Sequence, residues 1–411
     1  MPPCPPELIH IIATSAAPST LFALCLVSHS ARSEAERVLY ASIDLTECSR
    51  RVLRAWFRTM KRRKHLYPVV RKLSIRLLRD LETDDGVTIA CILKLCINLK
   101  DLSILHPTRH FPTAGTNSRV ATNQEEVCYW YWLILEAPFR LERFRCTGLR
   151  FQIADTTDPA PPPQSIRGFW AVQSSLRVLS LPDEYKFPIS ATDLTECPAY
   201  LAGVEVLETT VTGFLPPFIL RPIRVLQLHV SCFHSSDENH NVFTCIALHK
   251  ATLERLNIIA HGEHSLTHLT FLTAEAHPKL RHLAITQPPL LTPGQHEAER
   301  KHDLVTSGWN GLGRLARLET LVLQLRRRAH PPALSIALLD SDATFNLTQS
   351  SSVRRFGRAL LQHCLPSLQR LEIGVDVGMP VSYVFTREAG EIYERTVDGW
   401  EWDAEREFLS Y

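Results

Sequence analysis

The chain has 411 residues, 45% of them hydrophobic, with 45 Lys and Arg against 43 Asp and Glu. A formal net charge of +2 supplies no overall field to carry it onto nucleic acid or an acidic membrane surface. Eleven scattered cysteines without a C-x-x-C pair read as reduced thiols, and no apolar run reaches the roughly 18–20 residues that span a bilayer. The start is Pro-rich, without a basic segment or a small-residue cleavage site, so no signal peptide is expected. These features predict a cytoplasmic or nuclear protein with no nucleic-acid and no membrane partner.

The first forty residues predict three short helices. Pro5 and Pro6 suit a helix start, Glu7 suits its first turn, and Leu8, Ile11 and Ile12 share one face. A second helix begins at Pro18-Ser19-Thr20 and spaces Leu21, Leu24 and Val27 three apart. Ser28 to Arg32 break or bend it, and a third helix runs through Ala35, Val38 and Leu39 to about Tyr40. So few core positions are marginal alone and call for a partner or for the rest of the chain to cover them. Residues 50–72 follow with ten basic side chains on a helix whose Val52, Leu53, Trp56 and Phe57 turn inward. Within it Lys61–Lys64 reads either as an import signal or phosphate contact, or as an ordinary solvated helix face.

From Val70 onward one frame recurs, with apolar residues at its first, fourth and sixth positions. The clean copies begin at Val70, Leu99, Leu176, Ile223, Leu253, Leu280, Leu318 and Leu368, and degraded ones at Leu141 and Val204. The second position is always Arg, Lys, Glu or Gln, long polar side chains that reach water at a strand entrance. This L-x-x-L-x-L pattern is the strand of a leucine-rich repeat. Spacings run from 19 to 50 residues, so some copies carry insertions, notably at 106–124, 154–165 and 286–310. Helix-like runs at 86–97, 125–137, 241–251 and 352–365 alternate with the strands. Strand then helix, repeated, predicts a parallel sheet with outer helices, and neighbours must stack to bury each copy's apolar edge.

Alternation along each strand sends the third and fifth frame positions to the open, concave side. Among them Arg143, Arg145, Arg255 and Arg370 suit a carboxylate or phosphate, and Asn257 and His282 complete the candidate target-binding set. The other reading leaves these as solvated strand residues with the target held by loops. His261, His264 and His268, with His277 and His282 downstream, lack the carboxylate or cysteine that would complete a metal site. No phosphate loop, dinucleotide fingerprint or nucleophile elbow occurs, so no enzyme, no cofactor and no metal are expected. Residues 387–411 carry eight acids against three arginines, with Tyr393, Trp400, Trp402 and Phe408, and read as a C-terminal cap or an acidic tail.

The opening also carries a family resemblance. Cys4-Pro5-Pro6-Glu7-Leu8 resembles the Leu-Pro-x-Glu-Ile/Leu start of an F-box, Leu21 to Arg32 its middle, and Leu39-Tyr40 its Leu-Trp end. Cys4 replaces the leading Leu, Ala31 stands where the family often has Trp, and Tyr40 replaces the last Trp. With the repeats behind it, the chain is similar to the divergent F-box/leucine-rich-repeat proteins of mushroom-forming fungi. That resemblance implies a substrate-recognition adaptor whose F-box binds Skp1, and through it a cullin ubiquitin ligase, while the repeats hold an unknown protein substrate. It implies Skp1 contact by, or support from, Pro5, Leu8, Ile9, Leu21, Leu24 and Val27. The alternative is a repeat scaffold without a ubiquitin role, in which residues 4–40 only cap the stack. The expected architecture is α/β: an F-box-like helical domain over 1–45 and a basic helical linker over 46–65. A curved leucine-rich-repeat solenoid over 66–385, with parallel strands and outer helices, and the acidic cap or tail over 386–411 complete it.

Overall fold

The computed structural model describes residues 4–77, 83–105, 134, 137–147, 164–182, 200–210, 218, 221–231, 246, 249–261, 279–286, 315–325, 333–338, 341–346, 349–365, 367–376 and 380–399. The fold is mixed α/β, with helices first and mostly parallel strands after them. The described residues form two compact units, one reaching Gly203 and one beginning at Val204.

The first unit opens with helices α1 (Pro6–Ser15), α2 (Pro18–Val27) and α3 (His29–Ala41). Proline occupies the first turn of α1 and of α2, where its missing N–H costs nothing. Ser28 caps α3, its Oγ accepting from the Ala31 N–H at 3.1 Å, so the predicted break becomes a helix boundary. Five parallel strands follow in the order β1 (Ser42–Leu45), β2 (Lys72–Arg76), β3 (Asp101–Leu105), β4 (Arg143–Cys146) and β5 (Val178–Leu181). Residues 42–45, drawn with the helical segment on sequence, are thus strand β1 paired to β2. Helix α4 (Arg50–Arg62) lies within the basic helical linker expected over 46–65. It buries Leu53, Trp56, Phe57 and Met60 and packs on α5 (Thr83–Leu95), which lies between β2 and β3. Val52, expected inward with them, is half exposed. Helix α6 (Gln164–Val172) presses Phe169 and Trp170 edge-on against Phe144 of β4.

The second unit orders its strands β6 (Val206–Thr210), β7 (Val225–Ser231), β8 (Arg255–His261), β9 (His282–Thr286), β10 (Thr320–Leu325), β13 (Arg370–Asp376), β14 (Pro380–Glu388) and β15 (Glu391–Asp398). The first six are parallel, and β14 and β15 continue antiparallel. Before β13 stand an antiparallel hairpin of β11 (Ala333–Leu338) and β12 (Ser341–Asn346) and helix α7 (Ser350–Ala359). Strand β14 lies mostly before the predicted acidic cap of 386–411 and buries Tyr383, Val384 and Phe385, whereas β15 lies inside it. Trp400, Trp402 and Phe408 lie outside the described residues.

All ten frames start a strand at their third residue. Lys72, Asp101, Arg143 and Val178 align across the first unit, and Val206, Val225, Arg255, His282, Thr320 and Arg370 across the second. Every first-position residue, from Val70 to Leu368, is completely buried, and the fourth and sixth are at most 2% exposed. Each fully buried aliphatic contributes about 1.5–3 kcal/mol, which explains why this triplet survives in copies whose other positions vary. The second-position side chains stay outside, and from Lys100 on they alternate in sign along each unit up to Glu319, although Arg71 and Lys100 share a sign. Lys100 meets Glu142 at 2.6 Å, Arg224 reaches Glu205 at 3.9 Å and Glu254 at 3.1 Å, and Arg281 meets Glu319 at 3.7 Å. Lys100 holds the Glu142 carboxyl below its usual range. Such exposed pairs contribute little stability, and a shifted register would separate them.

Of the predicted inter-strand helices, 86–97 and 352–365 are met by α5 and by α7 with the π-helical turn Leu360–Cys364 that follows it. The runs at 125–137 and 241–251 lie almost wholly outside the described residues.

Candidate functional site

Two surfaces received the sequence-predicted binding residues. The first is built by α1–α3. Ala13, Leu21 and Ala35 form a small buried core, with Leu24, Val38 and Leu39 packed partly against it. Polar contacts reinforce this small centre. Arg37 of α3 donates to Glu34 through Nη2 at 2.6 Å and Nε at 2.9 Å, and His10 of α1 meets the same carboxylate. The Arg37 hydrogen bonds outweigh burial and hold the Glu34 carboxyl below the usual carboxylate range. Arg63 tethers the unit to the residues after α4 through Glu36.

The outer side of these helices is apolar and open. Leu8, Ile11 and Ile12 of α1 and Phe22, Leu26 and Val27 of α2 are all half exposed or more, Leu26 reaching 82%. Half of the large exposed hydrophobics among the described residues thus lie within twenty positions of one another. Helix α2 is apolar all round but buries only Leu21, as expected of a helix that meets a second surface. Of the six residues assigned by resemblance, Pro5, Leu8 and Val27 stand on the open surface. Ile9 and Leu24 are half-buried, and Leu21 is a core residue that supports the surface from behind. Ile11, Ile12, Phe22 and Leu26, absent from that set, supply much of the exposed area. The signal for Ile11 and Ile12 was the face they share with Leu8 on α1, and for Phe22 and Leu26 it was the excess of apolar residues on α2 beyond one helical face.

The second surface is the strand face formed by the third and fifth frame positions. In the first unit it is open to half-open along β2 to β4, where Lys72, Ser74, Asp101, Ser103, Arg143 and Arg145 keep solvent access and Lys72 and Asp101 pair at 3.5 Å, and it closes at β5, where Ser180 is buried. In the second unit most of it is closed. Glu208, Gln227, Ala284, Val322 and Glu372 are buried, and so are the predicted contacts Asn257 and His282, at 3% and 6% exposure. Arg255 and Arg370 are half-buried, and Arg370 lies 3.4 Å from Glu372. The register explains the buried polar row. Glu208 accepts from Gln227 Nε2 at 2.7 Å and meets His229 Nε2 at 2.9 Å, and Asn257 Nδ2 donates to Gln227 Oε1 at 3.1 Å. Side chains that could be read as solvated on sequence are hydrogen-bonded to one another across three adjacent strands instead.

A groove of about 700 Å³ lies against α7 and the β14–β15 turn, lined by Arg358, Gln362, Arg387, Gly390, Glu391 and Ile392. Among the described residues no group of three or more His, Cys, Asp or Glu is placed to hold a metal ion. Of the histidine cluster, His261 and His282 stand on β8 and β9, and His264, His268 and His277 lie outside the described residues. No described helix is long and apolar enough to cross a membrane. No family model matches the chain, and no curated protein matches it in sequence.

Proposed function

We propose that this chain is a non-enzymatic adaptor whose α1–α3 helices bind Skp1 and whose strand face holds a protein target for ubiquitin transfer. In this reading the in-register frames form a curved leucine-rich-repeat solenoid, and the adaptor acts by raising the concentration of target lysines near a cullin ligase. The observation that carries it is the open apolar surface of α1 and α2. A helical cap would turn its aliphatics toward the repeats it covers. Here α3 faces β1 and the turn at Lys64–Val69, while Leu8, Ile11, Ile12, Phe22, Leu26 and Val27 remain outside. A plain repeat scaffold capped by residues 4–40 leaves that surface without a use.

The target face is best placed in the first unit, where Arg143 and Arg145 keep solvent access, rather than at the buried Asn257 and His282. Co-elution of the full chain with purified Skp1 on gel filtration tests the adaptor reading. Changing Pro5 and Leu8 together to Ala should weaken that complex by about 2 kcal/mol or more if they are anchors. A folded double variant that binds as tightly as wild type would remove these residues from the interface. For the target, reversing the charge at Arg143 and Arg145 together should abolish capture and leave Skp1 binding intact. Capture retained by that variant would move the target to the loops.

A further inference from the structure

Helix α4 carries six basic residues and no acid, and its sequence places them against one another. Arg50–Arg54, Arg54–Arg58 and Arg58–Arg62 are four apart, and Arg51–Arg54 and Arg58–Lys61 three apart, spacings at which like charges work against a helix. The surrounding fold compensates only one end. Asp85 of α5 serves both Arg50 and Arg54, at 3.4 and 3.2 Å. Beyond α4, Glu36 serves Arg63. Among the described residues Arg51, Arg58, Lys61, Arg62 and Lys64 reach no carboxylate, although all five are exposed; Lys61 has only the Thr88 hydroxyl, at 3.4 Å. Arg51, Arg58 and Arg62 fall on one helical stripe about 16 Å long. A helix needed only for its buried Leu53, Trp56, Phe57 and Met60 would gain from acids on that stripe, so the uncompensated charge calls for an anionic partner.

Three kinds of anion could meet it, and the neighbouring side chains separate them. A bilayer surface would take up an apolar helix face, but that face of α4 is already buried in the unit. Single-stranded nucleic acid would use exposed aromatics as stacking platforms, and Trp56 and Phe57 are 8% and 4% exposed. What the helical layer does expose beside the charge is aliphatic: Val52 on α4, Val87 and Leu95 on α5, and Ile97 just beyond, each about half exposed. We infer that the outer face of α4, with the aliphatics of α5, docks an acidic polypeptide segment in which carboxylates alternate with apolar side chains. This surface is separate from α1 and α2 and from the strand face, and the inference does not depend on the Skp1 reading.

The test is fluorescence anisotropy on the full chain, with a labelled peptide of glutamates interrupted by leucines as the probe. Parallel arms use the same peptide with serines for leucines, a labelled single-stranded oligonucleotide, and phosphatidylserine vesicles. The Glu/Leu peptide should bind best, weaken as salt is raised, and lose about tenfold or more of its affinity in Arg51→Glu/Arg58→Glu/Arg62→Glu. Because those reversals add new contacts, Arg51→Gln/Arg58→Gln/Arg62→Gln is measured beside them. It should also lose the peptide, while its melting temperature stays level or rises as the repulsion is relieved. Absence of binding by wild type, undiminished binding by either variant, tighter binding of the oligonucleotide or vesicle, or a lower melting temperature of the Gln variant each overturns the inference.

Discussion

Gln173 offers a direct check on how neighbouring copies are locked together. It follows α6, is completely buried, and bridges back to the preceding copy: its Oε1 accepts from the Leu141 N–H at 2.7 Å and its Nε2 donates to the Phe139 carbonyl at 3.2 Å. Gln173→Leu keeps most of the volume and leaves both backbone groups buried and unpaired. At about 1–3 kcal/mol for each orphaned group, the loss should be about 2–6 kcal/mol. Gln173→Ala removes the same amide but opens room for a water that can serve either group, so it should cost less than the Leu variant despite the larger truncation. Urea unfolding followed by tryptophan fluorescence reads the effect, since Trp170 sits one turn away, with its ring 5.0 Å from Phe169 and 5.9 Å from Phe144. A Leu variant within about 0.5 kcal/mol of wild type, or one more stable than the Ala variant, would refute the bridge.

Further outcomes follow from single contacts. Gly357 of α7 lies so close to β14 that an added Cβ would meet the Phe385 ring at 2.5 Å, so Gly357→Ala should lower stability by about 1–3 kcal/mol, and Phe385→Leu in the same chain should recover part of it. Failure of that rescue would place the strain elsewhere. Glu34 has a depressed folded pKa, so its contribution to α1–α3 is present above the unfolded carboxylate pKa and lost as pH falls through the lower folded value. Amide protection factors in residues 6–41, corrected for intrinsic exchange, should therefore fall in acid, and Glu34→Gln should flatten that dependence; an unchanged slope would rule out this carboxylate. Burial pushes the Cys96 thiol up to about 12, whereas Cys4 and Cys91 are exposed. A thiol reagent at neutral pH should label Cys4 and Cys91 and spare Cys96, and early labelling of Cys96 would contradict its placement.

The strand frame was legible because burial is uniform at three of its six positions, so Leu, Ile, Val, Phe and Cys could substitute for one another without hiding the period. Strand β1 escaped notice because Tyr40 and Ala41 stand where the other copies have an aliphatic and a long polar residue. The sign alternation of Lys100, Glu142 and Arg177, and of Glu205, Arg224, Glu254, Arg281 and Glu319, was visible in the sequence but gained meaning only once strand order made these residues neighbours. Burial at the fifth position was not legible. Glu208, Gln227 and Asn257 look like solvated residues until the register brings their amide and carboxylate groups within hydrogen-bond distance. On the helices, spacing found the inner residues Leu21 and Leu24, but Phe22 and Leu26 became apparent as surface only when α2 was seen to bury so little.

The central claim is that α1 and α2 present a surface for Skp1. Its most direct measurement is amide hydrogen exchange of the full chain with and without saturating Skp1. The account predicts new protection within residues 6–27, including the turns that carry Leu8, Ile11, Ile12, Phe22 and Leu26, with little change along the strands. Binding that leaves residues 6–27 unprotected, or no binding at all by the folded chain, would contradict it.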